Sequence, residues 1–175
     1  MKIVSRSKCN MIILWLLCAV IAGCGYRFSG GGDLPGGIRN LSVGVFENKT
    51  RENGLETQIA NDLIDQFSRH KNIKLTEKNS SDGHLTGIIR SAKVTTITHA
   101  TASVSAERRI QVTMDFKLTA TSDGRLLWSA NAISAYETYA VTSEKYGTEQ
   151  NKKSALATLS SKVAERIYYQ LTDNF

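Results

Sequence analysis

Residues 110–120 alternate without a break: Ile110, Val112, Met114, Phe116, Leu118 and Ala120 fall between Gln111, Thr113, Asp115, Lys117 and Thr119. A period of two sends the first set to one face of a strand and the second set to the other. One face is apolar and the other polar, so this strand belongs to an antiparallel sheet covered on one side only. That excludes an all-helical chain and a parallel sheet buried on both faces. Ser122, Asp123, Gly124 and Arg125 follow, and Asp-Gly tolerates the positive φ of a tight hairpin turn. Residues 125–139 return through Leu126, Trp128, Ala130 and Ala132.

The remaining segments build around this hairpin. Residues 84–98 are rich in Thr and Ile, but the apolar phase slips between Leu85, Ile89 and Val94, which predicts a β-bulge. Residues 41–47 read as a short strand with Leu41, Val43 and Val45 inward, and residues 73–77 as another, followed by a polar loop. Between them Leu55, Ile59, Leu63, Ile64 and Phe67 recur at helical spacing, with Asn53 as the expected cap and Glu56 three residues later. A second helix is expected over about residues 148–172, with Leu156, Leu159, Val163, Ile167 and Leu171 on one stripe. The order β-α-β-β-β-β-α predicts an α+β two-layer sandwich. Its sheet is mixed and mostly antiparallel, of four to five strands, with two helices packed on one face.

The N-terminus has a different character. Lys2, Arg6 and Lys8 precede an apolar run over residues 11–21, and Ala22, Gly23 and Cys24 follow. A basic start, a short apolar stretch and small residues before a break read as a secretory signal. The run is too short for a membrane-spanning helix, which needs about 20 residues. Ile21, Ala22, Gly23 and Cys24 resemble the bacterial lipobox, in which the Cys thiol receives diacylglycerol, the chain is cut before it, and the new amine is acylated. Gly25 in place of Asp implies, by the same resemblance, sorting to the outer membrane. The expected division is a signal peptide over residues 1–23, Cys24 and a Gly-rich tether over 24–40, and one domain over 41–175.

This division reinterprets the charge. The whole chain carries 22 basic and 16 acidic residues, a net +6 that by itself points to a polyanion partner. Removing Lys2, Arg6 and Lys8 with the signal leaves 19 basic residues against 16 acidic, a net +3. Cys9 and Cys18 leave as well, so the mature chain keeps one Cys, expected to bear lipid, and has no thiol for a disulfide, a nucleophile or a metal.

No catalytic or metal site is expected. His70, His84 and His99 lack metal-ligand spacing, and there is no nucleophile elbow or phosphate loop. Nucleic acid is excluded as a partner because the basic residues neither cluster nor interleave with aromatics. Arg108 and Arg109 stand apart: two guanidinium groups where the most regular strand begins have the chemistry to bind phosphates, or to guard a sheet edge. Lys145, ahead of the C-terminal helix, is a candidate of the same kind.

With these residues in view, the chain resembles the LptE family of LPS-assembly lipoproteins. The resemblance runs through Gly23, Cys24, Gly25, Tyr26, Arg27 and Phe28, through Leu34 and Pro35, and through the strand over 41–46 with Glu47, Asn48, Lys49 and Thr50 after it. It continues in the helix over 55–67, in Ala106 and Glu107, in Glu149 and Gln150, and in the last helix. It implies a non-enzymatic plug and assembly partner for the outer-membrane β-barrel LptD, in contact with lipopolysaccharide and without a cofactor beyond the lipid on Cys24. It makes Arg108, Arg109 and Lys145 candidate LPS-binding residues. The alternative is a periplasmic lipoprotein serving another envelope machine, because the start of the domain also looks like curli-secretion and peptidoglycan-synthase-activator lipoproteins.

Overall fold

The structure is a computed structural model and describes residues 34–70, 72–98 and 106–172. The alternating segment forms β5 (Glu107–Ala120), whose Ile110, Val112, Met114, Phe116 and Leu118 are buried. It runs antiparallel between β4 (Gly83–Thr98) and β6 (Leu126–Ala140). Beyond β4 come β1 (Asn40–Val43) and then β3 (Lys74–Leu75), each parallel to its inner neighbour. The order is β3-β1-β4-β5-β6, and β2 (Glu47–Asn48) also pairs with β4, in parallel. Two helices, α1 (Leu55–Ser68) and α2 (Lys145–Thr172), cover one face, so the α+β two-layer arrangement is the one the sequence predicts. The sheet has six strands; β2 is two residues long and too short to express a period.

β1 and β2 are two pieces of one extended segment laid along β4, against Gly83–Leu85 and then Ile88–Ile89. The break falls at Gly44, where an added Cβ would lie 2.8 Å from the His84 ring. The break changes which residues face inward. Leu41 is buried as expected, but Val45 is 88% exposed and Phe46 takes the inward position at 3%. Phe46 lies over Gly87 and meets the edge of Phe116, with ring centroids 5.6 Å apart.

Helix α1 buries Leu55, Ile59, Leu63 and Phe67, the i, i+4 stripe that a helix of this kind turns toward its core. Its start departs from expectation. The cap position is Gly54, at φ 88, instead of Asn53. Asn48 of β2 organises the approach: its Nδ2 donates to the Glu52 carbonyl at 2.9 Å and to Glu56 Oε2 at 2.6 Å. A side chain from a strand thus ties the entry loop to the first turn of the helix, while Glu56 Oε1 accepts the Gly54 N–H at 3.4 Å.

Helix α2 begins at Lys145, three residues ahead of the expected Thr148, and buries residues on two sides because it touches both α1 and the sheet. Leu159, Val163, Ile167 and Leu171 form its main stripe, and Tyr168 packs edge-on against Phe67 at 5.5 Å. Each fully buried Leu, Ile or Phe contributes about 1.5–3 kcal/mol relative to exposure, so this one layer of apolar contact dominates the stability.

Residues 34–40, expected as the end of the tether, pack into the domain. Leu34 and Ile38 are 2% and 5% exposed. Gly36 and Gly37 take φ of 75° and 72°, which turns the chain over Leu127. The segment of the expected tether before Leu34, and the signal, lie outside the described residues.

Candidate functional site

The open face of the sheet is a regular lattice, because β4, β5 and β6 pair in register over their far halves. Three rows cross the strands: Ser91, Thr113 and Ser134; Lys93, Gln111 and Tyr136; Thr95, Arg109 and Thr138. Five hydroxyl side chains besides the Tyr, one amide, two cations and one aromatic ring stand on this patch, and no carboxylate interrupts the nine positions. Gln111 Nε2 donates to Ser134 Oγ at 2.7 Å. Arg109 lies with Cζ 4.5 Å from the centroid of Tyr136, a cation–π contact, while its Nε is enclosed without a hydrogen-bond partner. Tyr136 is 59% exposed, so the stacked pair faces outward. Glu107 stands at the rim, one position further along β5.

The lattice ends at Asp115. This carboxyl occupies an outward position of the alternation yet is 2% exposed. Bulges on both neighbouring strands bring groups onto it: the register shifts between Ile89 and Ser91 on one side, and opposite Met114 and Phe116 on the other. The first is the bulge predicted from the slipped phase of residues 84–98. Arg90, the extra residue of that bulge, donates to Asp115 Oδ2 and forms an ion pair with it. On the other side the Ala132 N–H donates to Oδ1 at 2.8 Å. The Arg90 hydrogen bond, followed by the Ala132 N–H, holds the Asp115 carboxyl below its ordinary range against the opposing effect of burial.

The basic residues singled out from the sequence are separated by the fold. Arg108 is paired with Thr96 and Tyr139 and belongs to the helix-bearing face, where it is exposed. Arg109 belongs to the open face. Consecutive residues of a central strand leave on opposite sides, so the two guanidinium groups do not form one clamp. Lys145 opens α2 at the same end of the sheet, which the Val141 N–H to Ala106 carbonyl bond, at 2.9 Å, closes beside β5. Arg108 and Lys145 therefore share an end and a layer, while Arg109 joins Lys93 and Tyr136. Lys93 and Tyr136 escaped sequence reasoning because their neighbourhood depends on strand register. Cys24 and the loop ahead of β5 lie outside the described residues.

Two other polar clusters explain themselves structurally. His84 Nδ1 and Ser42 Oγ are 2.7 Å apart, and Ser42 continues to Ser81 at 3.0 Å and Ser81 to Thr121 at 3.1 Å. Ser42 is 3% exposed and His84 partly buried, so the network runs inside the sheet from β1 through β4 to the hairpin. Burial, with Lys78 nearby, pushes the His84 imidazole below its usual pKa. Lys152 bridges Glu52 at 3.0 Å and Glu149 at 3.4 Å, tying α2 to the loop before α1. Among the described residues no group of three or more His, Cys, Asp or Glu is arranged to hold a metal, and no helix is long and apolar enough to cross a membrane.

The fold recurs in solved structures. An uncharacterised lipoprotein B from Nitrosomonas europaea superposes with a TM-score of 0.54 at 15% identity, over 85% of this chain and 90% of that one. A proposed lipoprotein from Caulobacter crescentus superposes with a TM-score of 0.50 at 11% identity, over 74% of this chain and 88% of that one. At such identities the likeness establishes the fold. No curated protein matches the chain. The family model for LptE, described as lipopolysaccharide-assembly, matches residues 38–171, from the buried turn before β1 to the last turn of α2. That match runs through the six strands and two α-helices found among the described residues, and the chain belongs to the LptE family of lipopolysaccharide-assembly proteins.

Proposed function

We propose that the mature chain is a non-enzymatic outer-membrane lipoprotein, acylated at Cys24 and held on the periplasmic side. In this reading it serves as plug and assembly partner of an LptD-like β-barrel during lipopolysaccharide transport and insertion. The observation that carries the reading is the family match over the whole folded domain, residues 38–171. A sheet with one face covered in large part by helices and the other, among the described residues, polar and open supports it, since a plug in a water-filled lumen needs a hydrated face. The lattice around Arg109 and Lys93 has charges and donors suited to phosphorylated sugars, and Arg108 with Lys145 offers a second basic site at the same end. Arg108, Arg109 and Lys145 are accordingly the proposed lipopolysaccharide contacts.

Gentle detergent extraction followed by affinity purification of the tagged chain tests the assignment. Recovery of a barrel protein in about equal amount is the expected result. Recovery of a secretion ring or a peptidoglycan synthase, with no barrel, would move the chain to another envelope machine. Radiolabelled fatty acid should enter the native chain and be lost in Cys24→Ala.

A further inference from the structure

At the hairpin end of the sheet, away from Arg108 and Lys145, a cleft of about 700 Å³ opens between three segments of the domain. One wall is the buried turn leading into β1, the second the loop before β4, and the third the β5–β6 hairpin. Arg39, Asn40, Asn79, Thr121, Ser122 and Arg125 line it with two guanidinium groups, two amides and two hydroxyls. The walls are bonded to each other. The Asp82 N–H donates to the Asn40 carbonyl at 2.8 Å, and the Thr121 N–H to the Asp82 carbonyl at 2.9 Å. The cleft is therefore formed before any ligand arrives, which lowers the ordering cost of binding.

The one carboxylate in the lining, Asp82, is held through one of its oxygens by the cleft's own walls. Asp82 Oδ2 accepts the Asn40 N–H at 2.9 Å, the Arg39 N–H at 3.2 Å and Asn40 Nδ2 at 3.2 Å. Among the described residues no carboxylate pairs with the Arg39 guanidinium. Arg125 has Asp123 at 3.8 Å, with both side chains well exposed, a pairing too loose and hydrated to neutralise it. Two permanent positive charges thus stand among the residues lining the cleft, against one ionised carboxylate whose Oδ2 is turned to the backbone of its own walls, and a guanidinium matches the oxygens of a phosphate in two-point contact.

We infer that this cleft binds a phosphate group, and that its source is the headgroup of a phospholipid in the membrane carrying the anchor. The membrane part rests on acylation of Cys24. Leu34, where the described chain joins the cleft wall, is ten residues after Cys24, a span of at most about 36 Å. A lipid on Cys24 therefore holds Leu34 within about 36 Å of the anchoring residue. The Arg39 and Arg125 side chains then act as a second, headgroup-reading contact beside the acyl chains.

Calorimetric titration of the purified mature chain in a non-ionic detergent tests the inference. The probes are dihexanoylphosphatidylglycerol below its micelle concentration and, separately, inorganic phosphate. Saturable binding of the lipid at one site is expected, weakened about tenfold in Arg39→Gln and in Arg125→Gln and unchanged in Lys153→Gln. Arg125→Lys should retain part of the affinity, because the charge remains while the two-point contact is lost. Equally strong binding of inorganic phosphate with the same arginine dependence would assign the site to soluble phosphate and overturn the headgroup source. No binding of either probe, or binding indifferent to both arginines, overturns the site itself. Barrel co-purification is read independently, so the failure of this site is distinguishable from the failure of the plug assignment.

Discussion

Asp115 accepts the N–H of Ala132 at 2.8 Å, and Ala132 is held at φ 55, a conformation that costs an L-residue about 1–2 kcal/mol. One carboxylate thus completes two bulges, taking Arg90 from β4 on its other oxygen. Asp115→Ala leaves the Ala132 N–H without its acceptor and releases Arg90. Because Arg90 is more than half exposed, the loss is discounted to about 2 kcal/mol, mostly from the stranded backbone donor. Urea unfolding midpoints check it; a variant as stable as the parent would show that the bulges do not depend on the carboxylate.

The same group sets an acid limit. The folded-state pKa of Asp115 is depressed, so its contribution is present above the ordinary carboxylate range and is lost as pH falls through the folded value. Asp115→Asn should be less stable than the parent at neutral pH, with the difference shrinking toward acid. A difference that is flat with pH would contradict this linkage.

Ala132→Gly should be neutral to stabilising, by up to about 1 kcal/mol, because glycine adopts positive φ without the Cβ clash. The gain is limited by the greater freedom of glycine in the unfolded chain. Thermal unfolding of the two proteins under identical conditions decides the sign.

Gly87 provides a packing test. An added Cβ would lie 2.3 Å from the Phe46 ring and 2.8 Å from the Asp115 carbonyl oxygen. Gly87→Ala is expected to cost about 3 kcal/mol, because a ring and a backbone must both shift. Phe46→Leu should recover part of that loss in the double variant, measured as a coupling energy in a double-mutant cycle. Simple additivity would place the strain on the Asp115 backbone alone.

His84 predicts weakening at mildly acid pH. Its folded-state pKa is lowered, so its contribution is complete above the ordinary histidine value and falls as pH drops below it. The urea midpoint should decline from pH 7 to pH 5 in the native chain, and His84→Gln should reduce that decline.

For the proposed ligand face, Arg109→Glu is expected to reduce lipopolysaccharide binding about tenfold, roughly 1.4 kcal/mol. Arg108→Glu probes the opposite face of the same strand. If Arg108→Glu weakens binding and Arg109→Glu does not, the contact lies with Lys145 on the helix-bearing side.

The parts legible in the sequence were those governed by the chain's own period. Ile110 to Leu118 declare a half-buried strand whatever lies beside it, and Leu55 to Phe67 declare a helix. Local reading failed where a distant group intervened. Val45 yields its inward place to Phe46 where the strand breaks at Gly44, a position His84 leaves no room to substitute with a larger residue. Asn53 is not the cap: the helix starts from Gly54 at φ 88, and Asn48, from β2, holds the entry loop and Glu56. The opposite faces of Arg108 and Arg109 follow from adjacency alone, but the stacking of Arg109 on Tyr136 required the register of β5 against β6.

By itself the sequence determined the two layers, the order of their longer elements and the main apolar stripe of β5 and of the two helices. Periods of two and of three and a half to four are written in neighbouring residues, and burial rewards them wherever the partner comes from. Only the tertiary structure decided that Asp115, polar and outward in the pattern, is sealed between two bulges, and that three strands align their hydroxyls and cations into one lattice. Register is a relation between residues far apart in the chain. A slip of one position would send every side chain to the other face, so long-range packing, and no local signal, selects it.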